Sequence, residues 1–229
     1  MLNERLRLVS DYITGNTLVD IGSDHAYLPI YAIENGLCQS AICGEVVEGP
    51  FDSSVKNVKE KNMDDKIEVR FGDGLKILNE SDQVDTITIC GMGGPLIASI
   101  IETGFKNVSG KPRIIAQANT YPYKVRQVMS ILNYQVSDER QYKDGPHFYD
   151  IIVFDYCPDK PSYSERELRF GPLNLVRRTD LFIDDLEREK QHIEKILLGI
   201  KETEQNKGKI TELKKELQVL NEVIDHDHS

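Results

Sequence analysis

The chain has 229 residues, with 28 Lys and Arg against 38 Asp and Glu, and a formal net charge of −10. Apolar residues make up 39% and tryptophan is absent, which fits one substantial domain with an appendage and a core that folds without staples. Cys38, Cys43, Cys90 and Cys157 stand in no CxxC or His-paired spacing, so neither a disulfide framework nor a metal site is expected. No run of 18 apolar residues marks a membrane span, and MLNERLRLVSDYI reads as an amphipathic charged stretch rather than a secretory leader. A cytoplasmic location is the expectation. The acidic balance, on its face, argues against nucleic acid as a partner.

In chain order, strand-like runs fall at 17–21 (TLVDI), 40–45 (SAICGE), 66–71 (KIEVRF), 84–90 (VDTITIC), 113–118 (RIIAQA), 134–142 and 147–157. Helix-like segments near 26–36, 50–62, 94–104 and 122–133 alternate with them. That alternation predicts a parallel sheet covered on both faces. Only four residues, KDGP, separate the last two runs, with DGPH at the turn, so they form an antiparallel hairpin. Five βα units followed by a hairpin is the element order of Rossmann-like, seven-stranded class I methyltransferase folds.

The character changes around Pro158 and Pro161, which divides the chain into a catalytic domain, 1–161, and a helical domain, 162–229. Leu186, Ile193, Leu197 and Ile200 make one apolar stripe, and Ile210, Leu213, Leu217, Leu220 and Ile224 a second with heptad-like spacing. With a turn at Asn206-Lys207-Gly208, the two helices pack as an antiparallel coiled-coil arm. The arm is either a solvated appendage or a grip for a substrate or partner. Charge does not separate the domains: 16 basic and 23 acidic residues precede Ser162, and 12 and 15 follow.

Candidate site residues gather at the ends of the predicted strands, where open parallel sheets bind ligands. The first strand runs into Asp20-Ile21-Gly22-Ser23-Asp24-His25-Ala26. Gly22 allows a tight turn, but the further glycines of a GxGxxG fingerprint are missing, and Asp20 and Asp24 would repel a pyrophosphate. Acids suit a ligand carrying an ammonium and a sulfonium, which favours S-adenosylmethionine over NAD. His25 reads as a cap more readily than as a base. Glu45 closes the second strand, placed to accept ribose hydroxyls. Asp73, in Gly72-Asp73-Gly74, either faces an adenine amino group or makes a simple turn. The fourth strand ends Cys90-Gly91-Met92-Gly93-Gly94, which implies close approach of backbone and ligand. It lacks the polar-Pro-Pro-aromatic motif of exocyclic amino methylation, which leaves ring nitrogens as acceptors. Cys90 reads as core rather than nucleophile. After the fifth strand, Gln117 and Asn119 are candidates to read a base edge, Tyr121 and Tyr123 to stack, and Lys124 and Arg126 to hold phosphate.

DIGSDHAYLP, GEVVEGP, GDGL, CGMGG and QANTYPYKVR, followed by the helical tail, resemble the bacterial tRNA (adenine-N1)-methyltransferases of the TrmK family, which act at tRNA position 22, over nearly the whole chain. The resemblance implies an S-adenosylmethionine-dependent enzyme acting on tRNA, with the arm helping to hold substrate. Asp20, Gly22, Ser23, Asp24 and His25 would form the first cofactor motif. Glu45 would take the ribose, Asp73 and Gly74 the adenine, and Gly91, Met92 and Gly93 the wall beside the methyl. Asp24 is the candidate catalytic carboxylate, and Tyr27 or Tyr121 would stack on the target base. The expected partner is tRNA, with no membrane and no metal, and the expected assembly is a monomer. RNA binding then needs a local basic patch on an acidic body. Arg5, Arg7, Lys124, Arg126, Arg140, Lys143, Arg166, Arg169, Arg177 and Arg178 are its candidates. The rival is a methyltransferase acting on a small molecule or a protein, with the coiled coil used for dimerisation.

Overall fold

The computed structural model describes residues 2–159, 162–201 and 203–225. Seven strands form one sheet: β1 (Thr17–Ile21), β2 (Ser40–Glu45), β3 (Ile67–Phe71), β4 (Thr86–Met92), β5 (Arg113–Ala118), β6 (Tyr134–Asp144) and β7 (His147–Tyr156). Their spatial order is β3-β2-β1-β4-β5-β7-β6. The first five are parallel, and β7 inserts antiparallel between β5 and β6. A parallel sheet ending in an antiparallel hairpin is the Rossmann-like methyltransferase architecture that the sequence predicts.

The strand chemistry explains the layering. The burial pattern of β1 and β5 is almost unbroken, as expected where helices cover both faces. Pleating sends Val19 and Ile21 into one core with Ile87, Ile89, Ile97 and Val125, and Leu18 into the other with Cys43, Leu28, Ile30 and Ile115. Each fully buried Leu or Ile contributes about 1.5–3 kcal/mol. The covering helices are α1 (Glu4–Ser10), α2 (Tyr27–Glu34), α3 (Glu48–Glu60), α4 (Gly94–Gly104) and α5 (Tyr123–Ile131).

Two strand irregularities matter for the site. The fourth strand starts at Thr86 and continues through Gly91 to Met92, later than its apolar run suggests. The register shifts between Cys90 and Met92, so Gly91, at φ +78°, bulges out and re-aims Met92. The hairpin keeps Asp144 opposite His147, as the DGPH spacing requires.

The chain divides into compact units at residues 1–173 and 174–229. Pro161, where the sequence places the boundary, lies outside the described residues. The helix α6 (Glu165–Phe170) carries a Ser164–Glu167 capping box and belongs to the first unit, and α7 (Pro172–Arg177) follows it. In the second unit, α8 (Asp180–Gly199) and α9 (Glu204–Ile224) form a helical hairpin.

The turn of that hairpin corrects the sequence reading. Asn206, Lys207 and Gly208 lie inside α9, because the Thr203 hydroxyl accepts from the Asn206 amide and caps the helix earlier. At the far end, Val223 is buried and Ile224 only half-buried, so Val223 closes the apolar stripe. A methyl on Gly208 would meet nothing within 4 Å. Gly208→Ala should therefore stabilise the helical unit by about 0.5–1 kcal/mol in denaturant unfolding. Destabilisation would return the turn to residues 206–208.

Candidate functional site at the carboxyl edge of the sheet

The register aligns Ile21 with Gly44 and Ile89, and Glu45 with Phe71. The loops after β1, β2, β3 and β4 therefore open on one edge. Asp20 is only 4% exposed. Its carboxylate accepts the Ser23 hydroxyl at 2.7 Å and the Thr88 hydroxyl at 2.6 Å. Burial holds its carboxyl above the usual range. Asp20 thus shapes the loop through its neighbours.

Beyond Ser23 the backbone makes a left-handed run: Asp24, His25 and Ala26 have φ of 36°, 70° and 57°. Each such non-glycine residue costs about 1–2 kcal/mol. Two bonds from elsewhere in the fold hold the run. Glu45 Oε1 accepts the Asp24 amide at 2.5 Å, and the Asn57 side chain donates to the His25 carbonyl at 3.0 Å. The run leaves the Asp24 carboxylate exposed, with His25 Nε2 3.5 Å away. His25 stacks on the exposed Tyr27, ring centroids 5.3 Å apart.

Glu45 is 6% exposed, and burial raises its carboxyl above the ordinary glutamate value, with the Asp24 amide opposing that rise. Its Oε2 accepts no hydrogen bond from the described residues. Around it stand side chains that sequence reasoning missed: Val46, Val47 and Phe71 are exposed at the strand ends, Phe71 at 55% and edge-on to Phe51 at 5.5 Å. Exposed apolar groups at a sheet's carboxyl edge mark a ligand-facing surface, and that exposure shows only in the fold. Asp73 is exposed and pairs with Lys76 at 2.6 Å. Gly74, at φ +56°, packs its backbone against Ile100.

Two glycine contacts join the loops. A Cβ on Gly22 would fall 2.2 Å from Met92 Cε, so Met92 lies directly over the first loop. A Cβ on Gly94 would fall 2.2 Å from the Tyr121 carbonyl, and the Gly94 amide donates to Thr120 at 2.7 Å. Tyr121 is itself left-handed, at φ 51°, and 63% exposed. Gly93 lies beside Thr120. Lys124 is exposed with its ammonium over the Tyr123 ring.

Three sequence-based assignments change. Gln117 is fully buried: its Oε1 accepts the Gly91 amide at 3.0 Å and Arg5 at 2.6 Å, and its Nε2 donates to Asn119. It braces the loop and reads no base edge. Asn119 is exposed and holds the Gly91 carbonyl at 2.8 Å. Arg126 is 1% exposed and donates to Glu139 at 2.7 Å and to the Leu168 and Arg169 carbonyls. It ties α5 to β6 and α6 and is closed to phosphate. Arg178 donates to the Val223 and Ile224 carbonyls, which caps α9. Arg177 is exposed in the second unit. Of the other patch candidates, Arg7 and Arg140 share Asp11, which offsets their charge. Cys90 is held above the ordinary thiol range by burial, consistent with a core role.

Glu139→Ala would leave the Arg126 guanidinium buried without its carboxylate. It should cost about 3–5 kcal/mol of stability in urea unfolding. A loss below about 1 kcal/mol would mean that Arg126 is open to solvent and available to anions.

An acid-lined edge, a buried glutamate with an unbonded oxygen, and glycines that admit close approach fit a cationic adenosyl ligand. Comparison with known proteins agrees with that chemistry. A family model described as tRNA (adenine(22)-N(1))-methyltransferase, TrmK, matches residues 18–222. The tRNA (adenine(22)-N(1))-methyltransferase of Bacillus subtilis is 37% identical, with 98% of each chain covered. A Streptococcus pneumoniae structure with S-adenosylmethionine bound has a TM-score of 0.89 at 36% identity, covering 98% of this chain and 100% of that one. M. capricolum TrmK, solved with S-adenosylhomocysteine, has a TM-score of 0.88 at 28% identity and 98% coverage of both chains. With its fold and nearly its whole length in agreement, the chain belongs to the TrmK family of tRNA (adenine(22)-N(1))-methyltransferases.

Proposed function

We propose how this site performs the family's reaction, the S-adenosylmethionine-dependent methylation of N1 of adenine 22 in tRNA. The observation that carries the reading is the convergence at one edge of a clamped acidic loop and a buried glutamate with an oxygen to spare. Glu45 Oε2 takes the ribose hydroxyls, while Val46, Phe71 and Phe51 flank the adenine ring and Asp73 with Gly74 borders it. Gly22, Ser23 and His25 lie along the methionine end, in the field of Asp20 and Asp24. Gly91, Met92 and Gly93 wall the methyl.

S-adenosylmethionine supplies a methyl on a sulfonium, so the N1 lone pair forms the new C–N bond as the C–S bond breaks. Little covalent help is needed, and positioning supplies most of the rate. N1 lies on the Watson–Crick edge, so a paired adenine must leave its stack. Tyr27 and Tyr121 are exposed aromatic rings for it. The methylated ring is cationic until its N6 amino group loses a proton. The Asp24 carboxylate stabilises that charge or accepts the proton. Its left-handed backbone goes with an exposed carboxylate at the edge where the loops open. Residues 1–161 carry the chemistry, and the helical unit, with its heptad-like seam and Arg177, serves as a coiled-coil arm that helps hold tRNA.

Unmodified tRNA incubated with methyl-labelled S-adenosylmethionine, then digested and mapped, should carry label at N1 of adenine 22. Label in protein or small molecules, with none in tRNA, would overturn the reading. Asp24→Ala should lower turnover about 100-fold or more while weakening cofactor binding far less. Equal loss of both would reassign Asp24 to the cofactor alone.

A further inference from the structure

Arg5 has an environment unlike that of its neighbours. Arg7, Arg70, Arg113, Arg126 and Arg140 each meet a carboxylate within 3.5 Å. Arg5 meets none among the described residues. Its Nη1 donates to the Gln117 Oε1 at 2.6 Å and the Asn119 Oδ1 at 3.3 Å, and its guanidinium lies 5.3 Å from the Tyr149 ring centroid. All three partners are neutral. They fix the side chain without offsetting its charge, and Nε and Nη2 donate to nothing among the described residues.

The guanidinium lies against Gly91: a Cβ there would sit 3.6 and 3.7 Å from its two terminal nitrogens. Gly91 is exposed, so a ligand can approach both. In the strand order, Arg5 stands over the ends of β4 and β5, whereas the acids lie at the ends of β1, β2 and β3. A sulfonium and a methylated adenine are both cations, and a fixed cation favours neither. The anion that the substrate brings is its phosphodiester, and the planar guanidinium fork matches phosphate geometry.

We propose that Arg5 is a phosphate-binding residue, taking a phosphodiester beside the target adenine. This rests on the tRNA reading above. Neutral bracing by Gln117, Asn119 and Tyr149 keeps the fork in place and its charge available. The same bonds link phosphate capture to the Gly91–Met92 wall beside the reacting methyl.

The test uses the full chain and unmodified tRNA, with affinity measured across salt concentrations. Calorimetry with S-adenosylmethionine runs in parallel, and kcat and KM are measured separately. Arg5→Gln should raise KM for tRNA about tenfold. It should also lower the slope of log affinity against log salt by about one, with cofactor affinity kept. Arg5→Lys, which retains the charge, should recover most of the salt slope. Lys61→Gln, at the opposite sheet edge where Lys61 pairs with Glu34, should change neither. An unchanged slope in Arg5→Gln, or a matching loss of cofactor affinity, would make Arg5 a loop brace and overturn the proposal. Failure of the wild-type chain to methylate tRNA would instead overturn the reading on which it rests.

Discussion

Three consecutive non-glycine residues in left-handed conformation do not persist without something to hold them, and here the holder is a buried carboxylate from the next strand. Glu45 accepts the Asp24 amide, while Asp20 ties Ser23 to Thr88. These bonds offset a strain of several kcal/mol over Asp24, His25 and Ala26. A glycine-rich loop would adopt the same path without strain, but it would present bare amides suited to phosphate. This loop presents acids instead, which suits a ligand with two positive centres. Burial raises the carboxyls of both Asp20 and Glu45. The charged forms therefore cost more in the fold than in the unfolded chain, and stability falls as pH rises through the raised values.

Glycine contacts carry that order across the edge. Met92 covers Gly22, and Gly94 nests against the Tyr121 carbonyl, so the first, fourth and fifth strand loops form one packed surface. The bulge at Gly91 aims Met92 back at the first loop. Gln117 and Asn119 hold both the amide and the carbonyl of Gly91. A methyl-transfer site relies on distance and alignment more than on proton chemistry, and this bracing supplies both.

Much of this was legible in the residue pattern, for reasons that differ by element. The apolar runs of β1, β2 and β5 match their strands because burial on both faces leaves a continuous signal. The acidic first loop, Glu45 and the Gly91–Gly94 run stand where strand ends must open. Burial was not legible. Gln117, Arg126 and Arg178 follow the right elements but face inward or cap a helix, and a charge in a sequence gives no direction. Phe71 and Val46 escaped because an apolar residue at a strand end looks like more strand. Gly208 looked like a turn, although the Thr203 cap had already started the helix. The net charge of −10 proved uninformative about nucleic acid: several acids are buried or pair with arginines, and a few placed cations are enough for a local grip.

The account turns on Glu45 serving two ligands at once, the loop amide through one oxygen and the ribose through the other. Calorimetric titration with S-adenosylmethionine, in buffers of different ionisation enthalpy and just above the ordinary glutamate range, tests this directly. Ribose hydroxyls and a nearby cation favour the carboxylate, so binding draws off the proton that burial makes the free carboxyl hold more readily. The wild-type chain should release a proton that Glu45→Gln does not, and the variant should bind about tenfold more weakly or worse. Equal proton release and equal affinity in the two proteins would contradict the account.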